Sequence, residues 1–464
     1  MLNIHNTLTA KKEAFKPLQE GKVSMYVCGP TVYDLGHLGH GRSAVSFDII
    51  RKYLVYKGYK VTYVSNYTDI DDKLIQRAEL KKITVAELAA QIIPEYDRDY
   101  ASLGIMKPDV QPKATEYVPQ MIELIKDLEK KGFTYLLDDG VYFDVTKFKD
   151  YGKLSKQKLD KLKAGSRVAV KVGKKSPQDF VLWKLSKPGE PFWESPWGVG
   201  RPGWHIECSA MSKQILGVTF DIHGGGADLT FPHHECEIAQ SEAANGAPFV
   251  NYWLHNGFIQ INNEKMSKSL GNFFTLRDIF EKYDPQAVRL LFLQTHYRSP
   301  IDFSNEILDQ AKNTLMRLHD FSRKIRAYKA AQDQNDTDEV IDEVLGTSKR
   351  NFEERMDDDF ETSGGLAAWF DCMKALNKLL DEKKISAAGQ KNVIDFMMKL
   401  DAVLGVLEPK EAMTINQAVA DLIEKRNAAR KAKDFKTSDQ IRDELLKMGV
   451  QLEDTPEGTT WKKV

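Results

Sequence analysis

Two histidines in a glycine-rich turn are the first residues whose types and spacing suggest chemistry. The segment 28–40 reads CGPTVYDLGHLGH and ends with His37 and His40. Strand-like alternation over 22–27 precedes the turn and apolar residues at helical spacing follow it, so both histidines should lie at a helix N-terminus. Unpaired N–H groups and the helix dipole favour phosphate at that position. The alternative is that the histidines only cap the helix.

Two lysines far downstream would complement a phosphate site. The segment 264–272 reads EKMSKSLGN and follows a short hairpin pattern over 259–263. Lys265 and Lys268, on a loop of small residues, form a pattern typical of a mobile phosphate clamp. A solvated, charged loop is the alternative.

Carboxylates follow the second predicted strand. The segment 68–72 reads TDIDD. Ligands bind at the carboxyl ends of the strands in open α/β sheets, so we expect Thr68 to face a ligand. The aspartates from Asp69 to Asp72 either form a metal or base site or cap the next helix, and capping is the preferred interpretation.

A third cluster has the residue types of a zinc site. In the sequence FPHHECE, a helix that begins at Pro232 would place His233 and Glu237 one turn apart on the same face. Cys28 and Cys208, brought in from the ends of neighbouring strands, would complete a tetrahedral shell of two thiolates, an imidazole and a carboxylate. Scattered residues of these types are usually core or surface residues, so spacing alone does not establish the site.

Length and composition limit the class of protein. The chain has 464 residues, 66 lysines and arginines, 67 aspartates and glutamates and a net charge of -1, which predicts several domains and no global basic field. Its 4 cysteines do not make a disulfide framework in a chain of this size. Without an apolar run of membrane-spanning length or an apolar leader, we expect a soluble, cytoplasmic protein. No long coiled-coil pattern is present, so we expect a monomer.

These residues need a scaffold that brings them together. Strand, helix and strand patterns over 22–65 predict half of a parallel α/β sheet, and the second half begins near Trp204. Residues 115–200 change to hairpin, lysine-rich and tryptophan-rich segments, which we interpret as an insertion. After Asn272 the pattern is almost entirely helical.

A local basic surface is predicted near the C-terminus. From Ile423 onward, lysines and arginines crowd a helix whose apolar stripe, formed by Ala428, Ala432 and Phe435, should face a partner. In a chain of nearly zero net charge, such a surface suits a polyanion. An exposed helix whose acidic residues balance the charge is the alternative.

The HxGH and KMSKS segments together resemble the signatures of class I aminoacyl-tRNA synthetases, in the same order and well separated. Further segments resemble the cysteinyl-tRNA synthetases and extend the resemblance over nearly the whole chain; they lie at 6–9, 198–211, 223–237 and 458–461. The resemblance implies an α/β fold with a Rossmann-like catalytic domain, an insertion, a helical bundle and a small anticodon-binding domain. The implied divisions are the first catalytic half, the connective insertion, the second catalytic half, the stem-contact and helical bundle domain, and the anticodon-binding domain, at 1–114, 115–200, 201–272, 273–408 and 409–464.

The same resemblance implies ATP-dependent activation of L-cysteine to cysteinyl-adenylate, followed by transfer to tRNA(Cys). One Zn²⁺ would be held by Cys28, Cys208, His233 and Glu237, and Mg²⁺ would accompany ATP. The implied catalytic residues are His37, His40, Lys265 and Lys268. The implied ATP contacts are Thr31, His37, Gly39, His40 and Lys268, and those of cysteine are Thr68, Trp204, His223 and Asp228. The implied tRNA contacts are Arg426, Arg430, Lys433 and Trp461.

Zinc suits the selection of cysteine over serine. An apolar pocket discriminates near-isosteres by only about 1–3 kcal/mol, whereas zinc binds and deprotonates a thiol more readily than a hydroxyl. A structural zinc saturated by protein ligands is the alternative, and Cys236 or His234 could replace a predicted ligand. The competing functions are another cysteine-activating ligase, of the mycothiol-pathway type, and a non-catalytic RNA-binding paralogue.

Overall fold

A computed structural model of the chain describes residues 1–157, 172–261, 264–265, 274–330, 338–409, 417–431, 434–447, 450–455 and 458–463. The chain forms two compact units, Met1–Leu407 and Glu408–Val464, and each is described by itself.

Strands and helices are numbered in chain order. In the described part of the chain, the strands are β1 Asn3–Asn6, β2 Lys11–Ala14, β3 Lys22–Val27, β4 Lys60–Ser65, β5 Thr134–Leu137, β6 Gly140–Phe143, β7 Phe180–Leu185, β8 Gly200–Pro202, β9 Phe220–Gly226, β10 Val250–Asn256, β11 Ile259–Ile261, β12 Glu264–Lys265, β13 Ile301–Asp302, β14 Val450–Thr455 and β15 Gly458–Lys463. The α-helices are α1 Leu38–Tyr56, α2 Asp72–Lys81, α3 Val85–Ser102, α4 Val118–Lys130, α5 Trp204–Leu216, α6 Glu235–Asn245, α7 Leu276–Phe280, α8 Pro285–Leu293, α9 Asn305–Ala327, α10 Asp338–Asp357, α11 Thr362–Asp381, α12 Ala387–Leu404, α13 Gln417–Lys431 and α14 Phe435–Lys447.

Four parallel strands form the central sheet in the order β10, β9, β3, β4. Alternate residues of β3 enter different cores. Met25 packs in a cluster with α1 and the helical bundle, whereas Tyr26 packs in a cluster with α3, α4, α5 and α6. Both faces of the sheet are therefore covered, as expected for parallel strands.

Helix α1 begins directly at the HxGH turn, as the sequence predicts. His37 is the N-cap residue, and the buried residues Val45, Ile49 and Tyr53 recur at four-residue intervals on the face that packs against the core. This spacing forms a continuous apolar stripe along the helix. The stripe fixes α1 against the sheet and thereby fixes the position of its N-terminus.

The predicted insertion contains an antiparallel sheet of β5, β6, β7 and β8. Helix α4, which precedes this sheet, packs against α5 and α6 in the core beside the central sheet. After β13, helices α9 to α12 form a bundle, and α8 joins it to α1 through the buried Arg289. The guanidinium of Arg289 donates to Asp48 on α1 at 2.7 Å and to the carbonyl of Leu404 at 2.6 Å. None of the described helices has the length and apolar character needed to cross a bilayer.

The C-terminal unit differs from the single basic helix that the sequence suggested. Two helices, α13 and α14, pack against the hairpin of β14 and β15. Asp434 accepts hydrogen bonds from the N–H and hydroxyl of Thr437, which is N-capping geometry and starts a new helix. The predicted stripe is wrong, because Phe435 is 62% exposed at the start of α14. The small core instead consists of Leu445, Val450 and Leu452, with Leu422, Ile423 and Ile441 against it.

Candidate active site and metal centre

The carboxyl ends of the four central strands surround a cavity of about 360 Å³. β3 leads into Cys28, β4 into Thr68, β9 into Asp228 and β10 into Gly257, and all four residues line the cavity. A cavity at this edge of a parallel sheet is the usual ligand site of open α/β folds.

Both histidines of the HxGH turn line this cavity. Their imidazole rings stack, with centroids 3.7 Å apart and planes inclined by 26°. Nδ1 of His37 accepts the N–H of Gly39 at 3.0 Å, and Nδ1 of His40 accepts the N–H of His37 at 3.3 Å. Each neutral ring therefore carries its proton on Nε2. A Cβ at position 39 would lie 2.9 Å from Cε1 of His37, so Gly39 is required for the close approach.

Thr31 and Thr68 lie side by side on the cavity wall. The backbone pairing continues beyond β3 and β4, because the N–H of Thr68 donates to the carbonyl of Pro30 at 3.1 Å. The hydroxyl of Thr68 donates to the buried carboxyl of Glu207 at 3.0 Å. These contacts hold both threonines in the cavity wall, with the Thr68 hydroxyl engaged by Glu207.

The neighbouring aspartates serve the structure. Asp71 is the N-cap of α2 and accepts the N–H of Lys73 at 2.6 Å. Asp69 accepts hydrogen bonds from the N–H and hydroxyl of Thr115, at 3.0 and 2.6 Å. The capping interpretation is confirmed for Asp71 alone, since Asp69 binds Thr115 and Asp72 pairs with Lys184 and Arg201.

Three of the four predicted zinc ligands line the cavity, and Glu237 lies buried behind them. The four ligand atoms all lie within 4.8 Å of one another. The Sγ atoms of Cys28 and Cys208 are 3.6 Å apart, and Oε1 of Glu237 lies 3.6 Å from Sγ of Cys28 and 3.0 Å from Nε2 of His233. Tetrahedral zinc with bonds of about 2.0–2.3 Å separates its ligand atoms by about 3.3–3.8 Å. The donor types and the two separations of 3.6 Å therefore fit zinc, whereas the 3.0 Å between Glu237 and His233 is a hydrogen-bond distance that would lengthen when a metal binds both.

A second group of ligand atoms, from Cys28, His223, His234 and Glu237, also lies within 4.8 Å. It shares two members with the first group but lacks the second thiolate and lies deeper in the protein. Sγ of Cys28 lies 3.4 Å from Nε2 of His234. We favour the first group, because zinc prefers thiolate ligands and because this group reaches the cavity.

The charges of these side chains stabilise one another even without a cation. Burial opposes ionisation of Glu237, but His223 and His233 lower the pKa of its carboxyl to about 2. Burial opposes protonation of His233, yet Glu237 and Cys208 raise its pKa to about 10. The hydrogen bond from Cys28 lowers the pKa of the Cys208 thiol to about 6, whereas burial raises the pKa of Cys28. The cluster already favours a carboxylate and a thiolate, the ionised forms that a metal binds.

Further histidines support the cluster, and sequence reasoning missed two of them. Nδ1 of His205 lies 3.0 Å from Nδ1 of His233, and burial together with His233 lowers the pKa of His205 to about 3. His205 thus stays neutral and can accept the Nδ1–H of His233, which leaves Nε2 of His233 for a metal. Nε2 of His255 lies 2.8 Å from Nδ1 of His234 on the other side.

The predicted substrate-binding residues differ in their positions. Trp204 and Asp228 line the cavity, and the Trp204 indole stacks on His233 with ring centroids 4.3 Å apart. His223 differs from the prediction of a direct substrate contact. β9 carries His223 beneath the cavity, fully buried, where its Nε2 lies 2.9 Å from Oε2 of Glu237. His223 therefore holds the carboxylate of a predicted metal ligand.

Two local structures around the ligands differ from the prediction. Cys208 lies on α5, not at a strand end, because the chain turns into a helix at Gly203 and buries Ile206 and Met211 on its inner face. Pro232 follows a cis peptide bond within a π-helical turn at Thr230–His234, and α6 begins only at Glu235. The one-turn spacing of the histidine and the carboxylate nevertheless persists.

Cys236 is not a member of either ligand group. Its Sγ lies 3.4 Å from the hydroxyl of Tyr151, and the residue is buried. Burial raises the pKa of the Cys236 thiol, so it remains a neutral core residue.

A buried arginine is a further feature that sequence reasoning missed. Arg42 is 1% exposed and follows the HxGH histidines on α1. Its guanidinium donates to the carbonyls of Phe258 at 2.8 Å and Tyr297 at 3.3 Å, and also to that of Ser299. Phe258 lines the cavity, so Arg42 connects the start of α1 with another part of the cavity wall. An HxGHxR spacing was visible in the sequence but gave no sign of these backbone partners.

Of the two predicted phosphate-binding lysines, the structure describes only the backbone of one. Lys265 belongs to β12, where its backbone pairs with Gln260, but its side chain is not described. Lys268 lies outside the described residues.

Two of the predicted tRNA-binding residues can be described within the C-terminal unit. Arg426 is 3% exposed, and its Nη1 donates to Thr459 of β15 at 2.9 Å. Arg430 is exposed. Lys433 and the side chain of Trp461 lie outside the described part, although the backbone of Trp461 pairs with Leu452.

Comparison with protein families gives three matches along the chain. Residues 14–313 match the tRNA synthetases class I (C) catalytic domain. Residues 351–408 match the DALR domain, and residues 414–461 match the cysteinyl-tRNA ligase anticodon binding domain.

Relatives match over essentially the full length. A cysteine–tRNA ligase of Geobacter metallireducens is 50% identical, with 99% of each chain covered. That of Thermococcus gammatolerans is 50% identical, covering 100% of this chain and 99% of the relative. That of Clostridioides difficile is 49% identical with 100% of each covered.

Solved structures match the fold at low identity. Methionyl-tRNA synthetase of Mycobacterium tuberculosis, in complex with methionyl-adenylate, has a TM-score of 0.59 at 14% identity, covering 82% of this chain and 89% of that one. A leucyl-tRNA synthetase of Agrobacterium radiobacter K84 in a ternary complex has a TM-score of 0.64 at 11% identity, covering 85% of each chain. From the full-length relatives and the matched domains, the chain belongs to the cysteine–tRNA ligases, enzymes of the class I aminoacyl-tRNA synthetase fold.

Proposed function

We propose that the cavity binds L-cysteine and Mg-ATP side by side, forms cysteinyl-adenylate and passes the cysteinyl group to tRNA(Cys). One observation carries this assignment of roles: zinc-type ligands and the HxGH histidines line the same cavity. The shared lining residues are Cys28, Cys208, His233, His37 and His40.

In the activation step, the carboxylate of cysteine attacks the α-phosphorus of ATP and the bond to pyrophosphate breaks. The Nε2–H groups of His37 and His40, with the N-terminus of α1, bind the phosphates and stabilise the charge that develops on them. Lys268, supported by Lys265, neutralises the departing pyrophosphate, and Mg²⁺ enters as the ion of the nucleotide. The protein mainly positions the reactants and stabilises charge.

For substrate selection, the predicted metal ligands Cys28, Cys208, His233 and Glu237 would hold one zinc, which would supply a soft cation that prefers a thiolate to a hydroxyl. The stacked Trp204 and Thr68 form walls that orient cysteine, Asp228 is a polar anchor, and the neighbouring Thr31 contacts ATP. A binding preference of this type needs no separate editing step.

In the transfer step, a ribose hydroxyl at the end of tRNA attacks the carbonyl carbon of the adenylate, and AMP leaves. The exposed Arg430, with Lys433 and Trp461, contacts the anticodon region, whereas the buried Arg426 holds β15 against α13. We propose that residues 409–464 supply anticodon binding, 115–200 the connective insertion and 273–408 the stem contact. The catalytic halves are 1–114 and 201–272.

The test of this proposal is ATP–pyrophosphate exchange with cysteine and serine. We expect exchange with cysteine alone, loss of exchange in the variants His37→Asn and His40→Asn, and loss of charging as a consequence. The control is Tyr53→Phe, which removes a buried hydroxyl that donates to Asp357 at 2.8 Å. This variant should keep wild-type exchange. Wild-type exchange in both histidine variants would contradict the assigned phosphate site.

We also propose that the protein acts as a monomer in the cytoplasm, where charged tRNA is consumed. Light scattering of the purified protein tests the first part: a mass near 52.8 kDa supports it, and a mass twice as large contradicts it.

A further inference from the structure

A tyrosine of α3 contacts the HxGH pair from within the core. The hydroxyl of Tyr96 lies 3.2 Å from Nδ1 of His40, and the two rings meet edge to face with centroids 5.5 Å apart. Tyr96 is 1% exposed. Its ring also packs against Gly36, where an added Cβ would lie 3.1 Å from the ring. The tyrosine is therefore held closely against the turn that carries both histidines.

The donors around His40 determine what the tyrosine hydroxyl does. Nδ1 of His40 lies 3.3 Å from the backbone nitrogen of His37, a group that can only donate. Nδ1 therefore accepts, and the His37 N–H and the Tyr96 hydroxyl share its single lone pair, with the hydroxyl slightly nearer at 3.2 Å. Burial raises the pKa of Tyr96, so its hydroxyl keeps its proton. Two donors on Nδ1 leave the proton of a neutral His40 on Nε2.

Helix α3 provides a firm base for this contact. Thr84 and Glu87 form a capping box at its start, and Leu88 is buried in the core. Near its end, the guanidinium of Arg277 on α7 pairs with Asp99 at 3.5 Å and with Glu95. The helix is thus fixed at both ends, and the Tyr96 hydroxyl is fixed with it.

We propose that Tyr96 is a positioning residue, whose hydroxyl holds the ring of His40 in the orientation and in the Nε2–H tautomer that bind the phosphates of ATP. The inference rests on the phosphate-binding role proposed above for His40. It goes beyond that role by naming a side chain that, together with the backbone N–H of His37, keeps the ring proton on Nε2. Tyr96 itself is not among the described residues that line the cavity.

The test compares Tyr96→Phe with the control Tyr53→Phe, in which another buried hydroxyl, bonded to Asp357 at 2.8 Å, is removed from α1. For Tyr96→Phe we expect kcat of cysteine-dependent exchange to fall about 2- to 12-fold, the cost of one hydrogen bond, with KM for cysteine unchanged. The control should keep wild-type kcat. Equal losses of kcat in the two variants would show that losing any buried hydroxyl lowers activity by weakening the packing of the protein, and would overturn the proposal.

Nitrogen NMR of histidine-labelled protein provides a readout that does not depend on activity. The His40 signals are assigned by their loss in His40→Asn. Wild-type protein should show Nε2 protonated and Nδ1 unprotonated, and in Tyr96→Phe the nitrogen shifts should change, because only the longer hydrogen bond from the N–H of His37 then remains on Nδ1. Unchanged shifts in Tyr96→Phe, or a proton on Nδ1 in wild type, would overturn the inference. Wild-type exchange in His40→Asn would instead refute the proposed role of His40.

Discussion

Replacing Arg42 with methionine should weaken ATP binding through the backbone that the guanidinium holds. The side chain is buried, and its described hydrogen bonds go to backbone carbonyls, including those of Phe258 at 2.8 Å and Ser299. Hydrogen bonds from a charged donor contribute about 1.5–3 kcal/mol each, so loss of these two costs about 3–6 kcal/mol of stability. Phe258 and the adjacent Gly257 line the cavity. A shift of this wall should raise KM for ATP at least about tenfold, because small misplacements are costly in a reactive complex.

The assay is ATP–pyrophosphate exchange with separate titrations of ATP and cysteine, together with thermal unfolding. Arg289→Met is the control, because Arg289 is equally buried but donates to Asp48 and to the carbonyls of Leu404, Leu103 and Gly104, none of which is among the described cavity residues. Both variants should melt at lower temperature, and only Arg42→Met should raise KM for ATP. An unchanged KM for ATP in Arg42→Met, or an equal rise in both variants, would refute the reasoning.

Three further predictions follow from the metal centre and the C-terminal unit. For Glu237→Gln in chelated protein, the fall of the Glu237 pKa from 4.5 to about 2 corresponds to about 3 kcal/mol. This stabilisation is present above pH 4.5 and is lost as the pH falls toward 2. In urea unfolding, the variant should therefore have a lower free energy of unfolding than the wild type at pH 6, and the difference should shrink on acidification. A difference that does not change with pH would contradict the charge argument. Gly29→Ala should lower bound zinc, measured by metal analysis, because its Cβ would overlap the carbonyl oxygen of Asn66 and displace Cys28; wild-type zinc content would refute this. Removal of residues 408–464 should lower tRNA charging while ATP–pyrophosphate exchange persists, and equal loss of both would count against separate roles for the two units.

Local periodicity was sufficient to predict the elements that carry the phosphate-binding turn. The alternation over β3 and the four-residue spacing along α1 are properties of neighbouring residues, so the sequence predicted a strand, turn and helix with His37 at the helix start. The prediction that Asp71 caps α2 succeeded for the same reason. Local patterns also gave the one-turn spacing of His233 and Glu237.

Contacts between distant segments could not be predicted in this way. The partners of Arg42 lie more than two hundred residues away and are backbone carbonyls, which leave no trace in residue types. His223 looked like a pocket residue, but the alternation of β9 carries it beneath the cavity to Glu237. Cys208 lies on a helix whose start carries no local signal, because its N-cap residue Gly203 has no side chain to cap it. The zinc ligands themselves were proposed from family resemblance, since their spacing along the chain carries little information.

The most direct test of the central claim is the absorption of cobalt-substituted protein during titration with cysteine and with serine. The claim is that the Cys28, Cys208, His233 and Glu237 cluster holds a metal that binds the substrate sulfur beside the ATP site. The account predicts that cysteine changes the thiolate-to-cobalt absorption in proportion to its binding and that serine leaves the spectrum unchanged. A spectrum that does not respond to cysteine, in protein that still catalyses cysteine-dependent exchange, would contradict the claim and make the metal structural.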